Sequence, residues 1–479
     1  MPIVEVPEGG DALRAASVQT LLRLEPGHGQ PTARHLTLLA EVDPGPAPAV
    51  WTDARAGVLA SILAARARRD ALTDGLALPQ RYFEDGRLTR PASMSASTRS
   101  RLYASVSEYC SATGWPQIAA RYAAESLLFA ETDAQRYRAH SVHALALALN
   151  AEYIAAAEAI EQAHALFTAH GWHDDDLSHC LCLGEAMLAL TRADVGRLRE
   201  LADALQRTPS DQPYWNFGAA VMRVAAHFFD RDLAAGLAES RRLLHASDRA
   251  RSPRLQRDLL LGMHADMLAL HGEFDEALAV LSTGVTQPGH AVCFPMQRAA
   301  TLLLTGRERE VIESTNACVA MHDEHCLRTL TPLLTRRAVA FLRLGHPRRA
   351  TQSMESAIEL ISRTGGSLMP FLMIPSADAA RLLDLVADER GDLVETITAM
   401  RAALPALAAR QSMSPALSPL SPAERELATL LRTDQTTAEI ARARGVSVNT
   451  VKSQMRSIYS KLGVSRREEA VAILDVHSD

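Results

Sequence analysis

The chain has 479 residues, 47% hydrophobic and 22% charged, and a formal net charge of −6. It is too long for one core and too apolar for a disordered chain, so two or more folded domains are expected. With no run of about 18 apolar residues and no basic-then-apolar start in MPIVEVPEGGDALRAAS, neither a membrane-spanning helix nor a secretory signal is expected, which predicts a cytoplasmic protein.

Aromatic residues make up only 5% of the chain, which favours helices over sheets. Residues 1–50 are rich in Pro and Gly and predict an arm or partial cap. A capping helix is expected at about 53–71 and a loop at 83–97, FEDGRLTRPASMSAS, so 1–99 reads as an N-terminal arm and capping helix.

From 100 to 400 the chain alternates Ala/Leu-rich helical stretches with short polar breaks. The clearest units are LLLGMHADMLALHGEFDEALAVLSTG, breaking at Gly272, and TRRAVAFLRLGHPRRATQSMESAIELI, breaking at Gly345. Ala277 and Ala350 each lie five residues past their break, where a small side chain lets two helices approach closely, and Leu268 and Phe341 lie four before it. Similar breaks fall at Gly114, Asn150, Ala193, Asp230, Gly306 and Gly391, with intervals of 34 to 46 residues. Eight stacked helical hairpins are predicted, forming a curved superhelix with a concave surface. The Gly272 and Gly345 units resemble tetratricopeptide (TPR) repeats. That resemblance implies a sensor or interaction domain that takes a small-molecule, peptide or protein effector in its groove. Tyr214, Trp215, Phe217, Phe228 and Phe229 form the densest aromatic patch; packing between hairpins is its first reading and a binding groove its second.

The six cysteines, Cys110, Cys180, Cys182, Cys293, Cys318 and Cys326, are expected to be reduced. Two stretches invite a metal reading: His173 to Cys182 in WHDDDLSHCLC, and Cys318, His322, His325 and Cys326 along one helical face. Neither has a strong zinc spacing such as paired CxxC, so no metal site is expected. No lysine precedes Lys452, so no GxxxxGK[ST] phosphate loop exists, and GxSxG and HExxH are also absent. No cofactor and no enzymatic activity are expected.

Pro405, Pro415 and Pro419 with several serines predict a linker at 401–419. Beyond it, residues 440–467 carry seven basic side chains and no acidic one, leaving −13 for the rest of the chain. A positive island on an acidic protein suggests a polyanion-binding element. Three capping boxes punctuate this region: Ser421 with Glu424, Thr436 with Glu439, and Ser465 with Glu468. They predict helices at about 422–432, 437–443, 448–462 and 466–476, the third stopping at Gly463. The apolar set Leu427, Leu430, Leu431, Ile440, Ala441, Val448, Val451, Met455, Ile458, Tyr459 and Leu462 faces inward. The 437–462 pair fits a helix-turn-helix (HTH) whose second helix presents Asn449, Lys452, Ser453 and Arg456.

With LSPAERELATLL, AEIA, GVSVNTVKSQ and IYSKLGVSRREEAV at their observed spacing, residues 420–471 resemble the DNA-binding domain of LuxR/NarL-type bacterial transcription regulators, within an expected domain at 420–476. The resemblance implies a four-helix fold, duplex DNA as partner and a homodimer on paired half-sites, with RNA polymerase as a further partner. It implies base contacts from Lys452, Ser453 and Arg456, and backbone contacts near Thr436, Thr437, Asn449, Thr450 and Lys461. Glu424 and Arg467 match positions that hold the domain together. Asp434 replaces a usual glycine, so the turn there is expected to differ, and Gln454 replaces a common histidine. The chain therefore reads as an all-α transcriptional regulator in which a TPR-like array controls dimerisation or release of the HTH domain. The alternative is a protein-interaction scaffold with weak or vestigial DNA binding.

Overall fold

The computed structural model describes residues 10–90, 92–245, 252–365, 367–411, 422–433, 435–462, 464 and 466–476. Helices dominate them; the strands are two two-residue ladders, Trp51–Thr52 parallel to Ala92–Ser93 and Phe83–Glu84 antiparallel to Arg87–Leu88. The second ladder and the helix start at Ala96 fall in the expected 83–97 loop. No described helix is long and apolar enough to cross a membrane.

The N-terminal region differs from the expected irregular arm. Helices Gly10–Arg23 and Ala33–Ala40 pack on Asp53–Arg68 around Ala16, Leu36, Leu39, Ile62 and Ala65. The physical signal was local: Leu36, Leu39 and Ala40 share one helical face, and the Thr32 hydroxyl caps it by accepting from the His35 amide. Asp53–Arg68 in turn packs on Ala96–Ala112, joined by a buried Arg68–Glu108 ion pair at 2.6 Å. This region continues the array's packing.

Eight hairpins follow. They are Ala96–Ala112 with Pro116–Leu128, Asp133–Leu149 with Tyr153–His170, His179–Arg192 with Val195–Arg207, and Pro213–Asp230 with Leu233–His245. The chain goes on through Arg254–His271 with Phe274–Ser282, Phe294–Leu304 with Glu308–Val319, Leu327–Arg343 with Pro347–Thr364, and Ser376–Glu389 with Val394–Gln411. Every break expected from the sequence falls at the turn of one hairpin. Gly272 ends its helix in the left-handed region at φ +90°, where glycine has no Cβ penalty; Ala193 and Arg231 adopt the same conformation at φ 50° and 66° without that freedom. Ala277, Ala350 and Leu268 are fully buried between helices, as the spacing required.

The last hairpin runs through Pro405 to Gln411, eleven residues into the segment expected to be linker; the rest of that segment, with Pro415 and Pro419, lies outside the described residues. The C-terminal module has four helices, Pro422–Leu431, Thr437–Ala443, Val448–Leu462 and Arg467–Val476, each within a residue or so of expectation. Leu427, Leu431, Ile440, Ala441, Val451 and Ile458 form its core. Val448, expected in the buried stripe, is 39% exposed, because it opens its helix ahead of the first turn that meets the core. The Thr436–Glu439 capping box is present: the hydroxyl accepts from the Glu439 amide at 3.3 Å and the carboxylate accepts from the Thr436 amide at 2.8 Å. The other two boxes and the turns at Asp434 and Gly463 involve Ser421, Ser465, Asp434 and Gly463, which lie outside the described residues.

Candidate nucleic-acid interface and repeat groove

Helix Val448–Leu462 presents Asn449, Thr450, Lys452, Ser453 and Arg456 to solvent along its outer face. The opposite face, through Val451 and Ile458, is fixed in the core, so the rotation of the helix about its axis is set by packing. The Ser447 hydroxyl accepts from the Thr450 amide at 3.0 Å and caps its start. Thr436 is exposed and Thr437 half-buried at the start of the preceding helix. The side chain of Lys461 lies outside the described residues. Val446 and Val448 add exposed apolar surface, 38% and 39%, beside the donors. Sequence reading missed Val448 here because its period matched the buried stripe.

Not every basic residue of the island is available. The Arg444 guanidinium donates to the Gln454 side-chain oxygen and pairs with Glu426 at 3.3 Å. Gln454, where a histidine was the usual residue, is thereby turned inward. Arg467 donates to the carbonyls of Leu431 at 3.0 Å and Gln435 at 2.7 Å, and also to that of Thr433. These carbonyls end the first helix and begin the approach to the second, where no intrahelical donor exists. Buried Glu424 accepts from Ser457 at 2.7 Å, tying the first helix to the third. Arg444, Glu424 and Arg467 thus hold the module together, and Arg442, Lys452, Arg456 and Arg466 remain exposed. Arg456 also reaches the array: its Nη1 lies 3.3 Å from the Thr305 carbonyl, at the turn of the Phe294–Leu304/Glu308–Val319 hairpin.

A cavity of about 200 Å³ is lined mainly by the first helices of successive hairpins, with Ser367, Met369, Pro370 and Leu372 contributing. Its walls are apolar, with Met222, Phe228, Phe229 and Met263 prominent; Gln256, Asp266 and Arg336 supply polar atoms. Gln256 Oε1 and Arg336 Nε are buried with no hydrogen-bond partner among the described residues. An apolar enclosure with a few polar atoms left to satisfy is the usual form of a small-ligand site. The aromatic patch seen in the sequence divides here. Tyr214 and Trp215 are packing residues, buried around His179 at ring distances of 4.4 and 5.2 Å, whereas Phe228 and Phe229 face the cavity.

Burial pushes the Asp266 carboxyl from 3.8 up to about 7, against the opposing pull of Arg336. The Gln297 carboxamide, turned to donate, lies 3.2 Å from both carboxylate oxygens. The folded chain therefore keeps a proton that the unfolded chain sheds above about pH 4. Its stabilising effect is full below that pH and is lost as the pH rises towards 7. Asp266→Asn, which is neutral throughout, is expected to melt a few degrees above the wild type at pH 8, the gain shrinking towards pH 5. A melting difference equal at both pH values would contradict this account.

The luxR family of bacterial regulatory proteins (GerE) matches residues 418–474. The probable transcriptional regulatory protein SgaR of Hyphomicrobium methylovorum is 46% identical over 57 residues, which are 12% of this chain and 27% of SgaR. The putative HTH-type transcriptional regulator YhjB of Escherichia coli (strain K12) is 37% identical over 62 residues, 13% of this chain and 31% of YhjB. The chain thus spans less than a third of the length of these curated relatives. The crystal structure of Rap protein complexed with competence and sporulation factor is similar to 74% of this chain and 98% of its own, at TM-score 0.52 and 12% identity. That likeness is one of fold, a helical-repeat array.

Proposed function

We propose that this chain, a LuxR-type regulator with N-terminal helical repeats, binds duplex DNA sequence-specifically and controls transcription in response to an effector held by the array. The observation that carries the first part is the outer face of helix Val448–Leu462, where exposed Lys452, Ser453 and Arg456 stand in register on a helix fixed by its core. Lys and Arg at such positions donate to guanine O6 and N7 in the major groove; the Ser453 hydroxyl donates to or accepts from a base edge, and Val448 meets a thymine methyl. Thr436, Thr437, Asn449, Thr450 and Lys461 hold the phosphates that set the register. One module makes few base contacts, so a homodimer places two such helices in successive major grooves about 34–36 Å apart.

The apolar cavity is the effector site in this reading, for a small molecule or a peptide side chain. The Rap chain of similar fold was solved with competence and sporulation factor, which supports an array that holds a peptide or protein. The Arg456–Thr305 contact gives the array a hold on the DNA-reading helix. Effector binding that moves the hairpin turn at Thr305 frees Arg456 and releases the HTH domain. RNA polymerase is a further partner, the protein works in the cytoplasm, and its role is regulatory, not enzymatic.

Genome-wide footprinting of the tagged protein in its own cell, beside a Lys452→Ala/Arg456→Ala double variant, tests this. Discrete paired sites lost in the variant are the expected result. Equal maps for the two proteins would instead favour a protein-interaction scaffold with vestigial DNA binding.

A further inference from the structure

Two histidines and two cysteines from three separate segments converge in the array. Cys293 caps the start of Phe294–Leu304, and His290 stands three residues before it. Cys318 lies in the last turn of Glu308–Val319, and His325 in the short connection before Leu327–Arg343. One donor atom from each of the four lies within 4.8 Å of all the others. We propose that His290, Cys293, Cys318 and His325 bind one zinc ion, which staples the Phe294–Leu304/Glu308–Val319 hairpin to the loop before it and the helix after it.

The distances fit that ion. The two sulfurs are 3.8 Å apart, which is about the edge of a tetrahedron built on Zn–S bonds of about 2.3 Å. His290 Nδ1 and His325 Nε2 are 3.0 Å apart, close to the edge of about 3.3 Å for Zn–N bonds of about 2.0–2.1 Å. The outer contacts fit as well. His325 Nδ1 lies 2.9 Å from the Cys326 carbonyl, so it carries the ring proton and leaves the Nε2 lone pair facing the cluster. His290 adopts φ 56°, a left-handed conformation rare outside glycine. Its carbonyl accepts from Thr329 at 2.6 Å, and the Gly289 carbonyl accepts from the Cys326 amide at 3.2 Å, so the loop is pinned to the helix that follows the site.

Burial and charge point the same way. Cys293, Cys318 and His325 are buried, and Met296 and Leu333 pack beside the thiols. Two thiolates balance a divalent ion, so the filled site is neutral and needs no further counter-ion at depth. The S₂N₂ set selects zinc over the hard cations, which prefer oxygen. The earlier expectation of no metal missed this because it looked for ligands along one helix. His322 and Cys326 do not take part: His322 lies in a short 3-10 turn, and the Cys326 thiol donates to the Leu149 carbonyl at 3.1 Å.

The test uses the full chain purified under reducing conditions. Elemental analysis is expected to give one zinc per chain. Exchange with cobalt is expected to give the visible bands of tetrahedral Co²⁺ and the near-ultraviolet charge transfer of thiolate ligation. Cys318→Ser and His325→Ala are expected to lose the metal, and Cys326→Ser, outside the site, to keep it. The cobalt spectrum of the wild type needs no variant to fold, so the proposal is tested even where a ligand variant does not. Two results overturn it: a reduced wild-type chain that takes up neither zinc nor cobalt, or a Cys293–Cys318 disulfide as the form isolated from cells.

Discussion

Lys452→Ala combined with Arg456→Ala is expected to cut specific DNA affinity at least about a hundredfold. Each good base contact from such a side chain is worth about 1–3 kcal/mol, and the pair is lost in every half-site. The same variant should flatten the dependence of binding on salt, since two fewer cations displace counterions per module. Titrations between about 50 and 200 mM salt report both quantities. The core residues Val451 and Ile458 are untouched, so the fold of the module should be unchanged. Arg456 carries an additional expectation through its Thr305 contact. On the proposed reading, its loss removes a base contact and also loosens the array's hold, so the two effects oppose each other in Arg456→Ala and the single variant should lose less affinity than Lys452→Ala. Wild-type affinity and salt slope in the double variant would rule out this helix as the reader.

Arg467→Ala is expected to melt the C-terminal module while leaving the array folded. A module of some 55 residues has only about 3–8 kcal/mol of stability to lose. Arg467 satisfies the Leu431, Thr433 and Gln435 carbonyls at once and joins the last helix to the first two. Hydrogen bonds from a charged donor contribute about 1.5–3 kcal/mol each, so losing the fork consumes much of that reserve. Hydrogen exchange should then show residues 422–476 unprotected and the hairpins of 96–364 as before. Arg467→Lys should not restore protection, because an ammonium cannot span the same three carbonyls. Unchanged exchange in 422–476 would show that apolar packing alone holds the module.

The sequence carried the module almost entirely, because its signals are local. A cap, an apolar spacing and a stop lie within a few residues of each other, and Thr436 with Glu439 forms the same bonds in the fold that its spacing requires. The hairpin breaks were legible for the same reason, even at Ala193 and Asp230, where no glycine marks them. Where composition was used in place of pattern, the reading failed. Residues 1–50 looked irregular from their prolines and glycines, yet the face made by Leu36, Leu39 and Ala40 was there to be seen. Pro405 was taken as a helix breaker, but it sits within Val394–Gln411.

What the sequence by itself determined is therefore the hairpin breaks, the four helices of the C-terminal module and the outward face of Val448–Leu462. Each of these depends on contacts within one or two turns, and the chain's order fixes them. Only the tertiary structure decided which side chains from distant segments meet. It placed Phe228 and Phe229 on the cavity while burying Tyr214 and Trp215. It withdrew Arg444 and Arg467 from the basic island to internal partners. It brought His290 and Cys293 to Cys318 and His325 across 25 residues or more, in place of the nearer His322 and Cys326. Periodicity gives the direction of a side chain about its own helix. The angle and offset at which one hairpin stacks on the next depend on packing along the whole interface, and those set the long-range meetings.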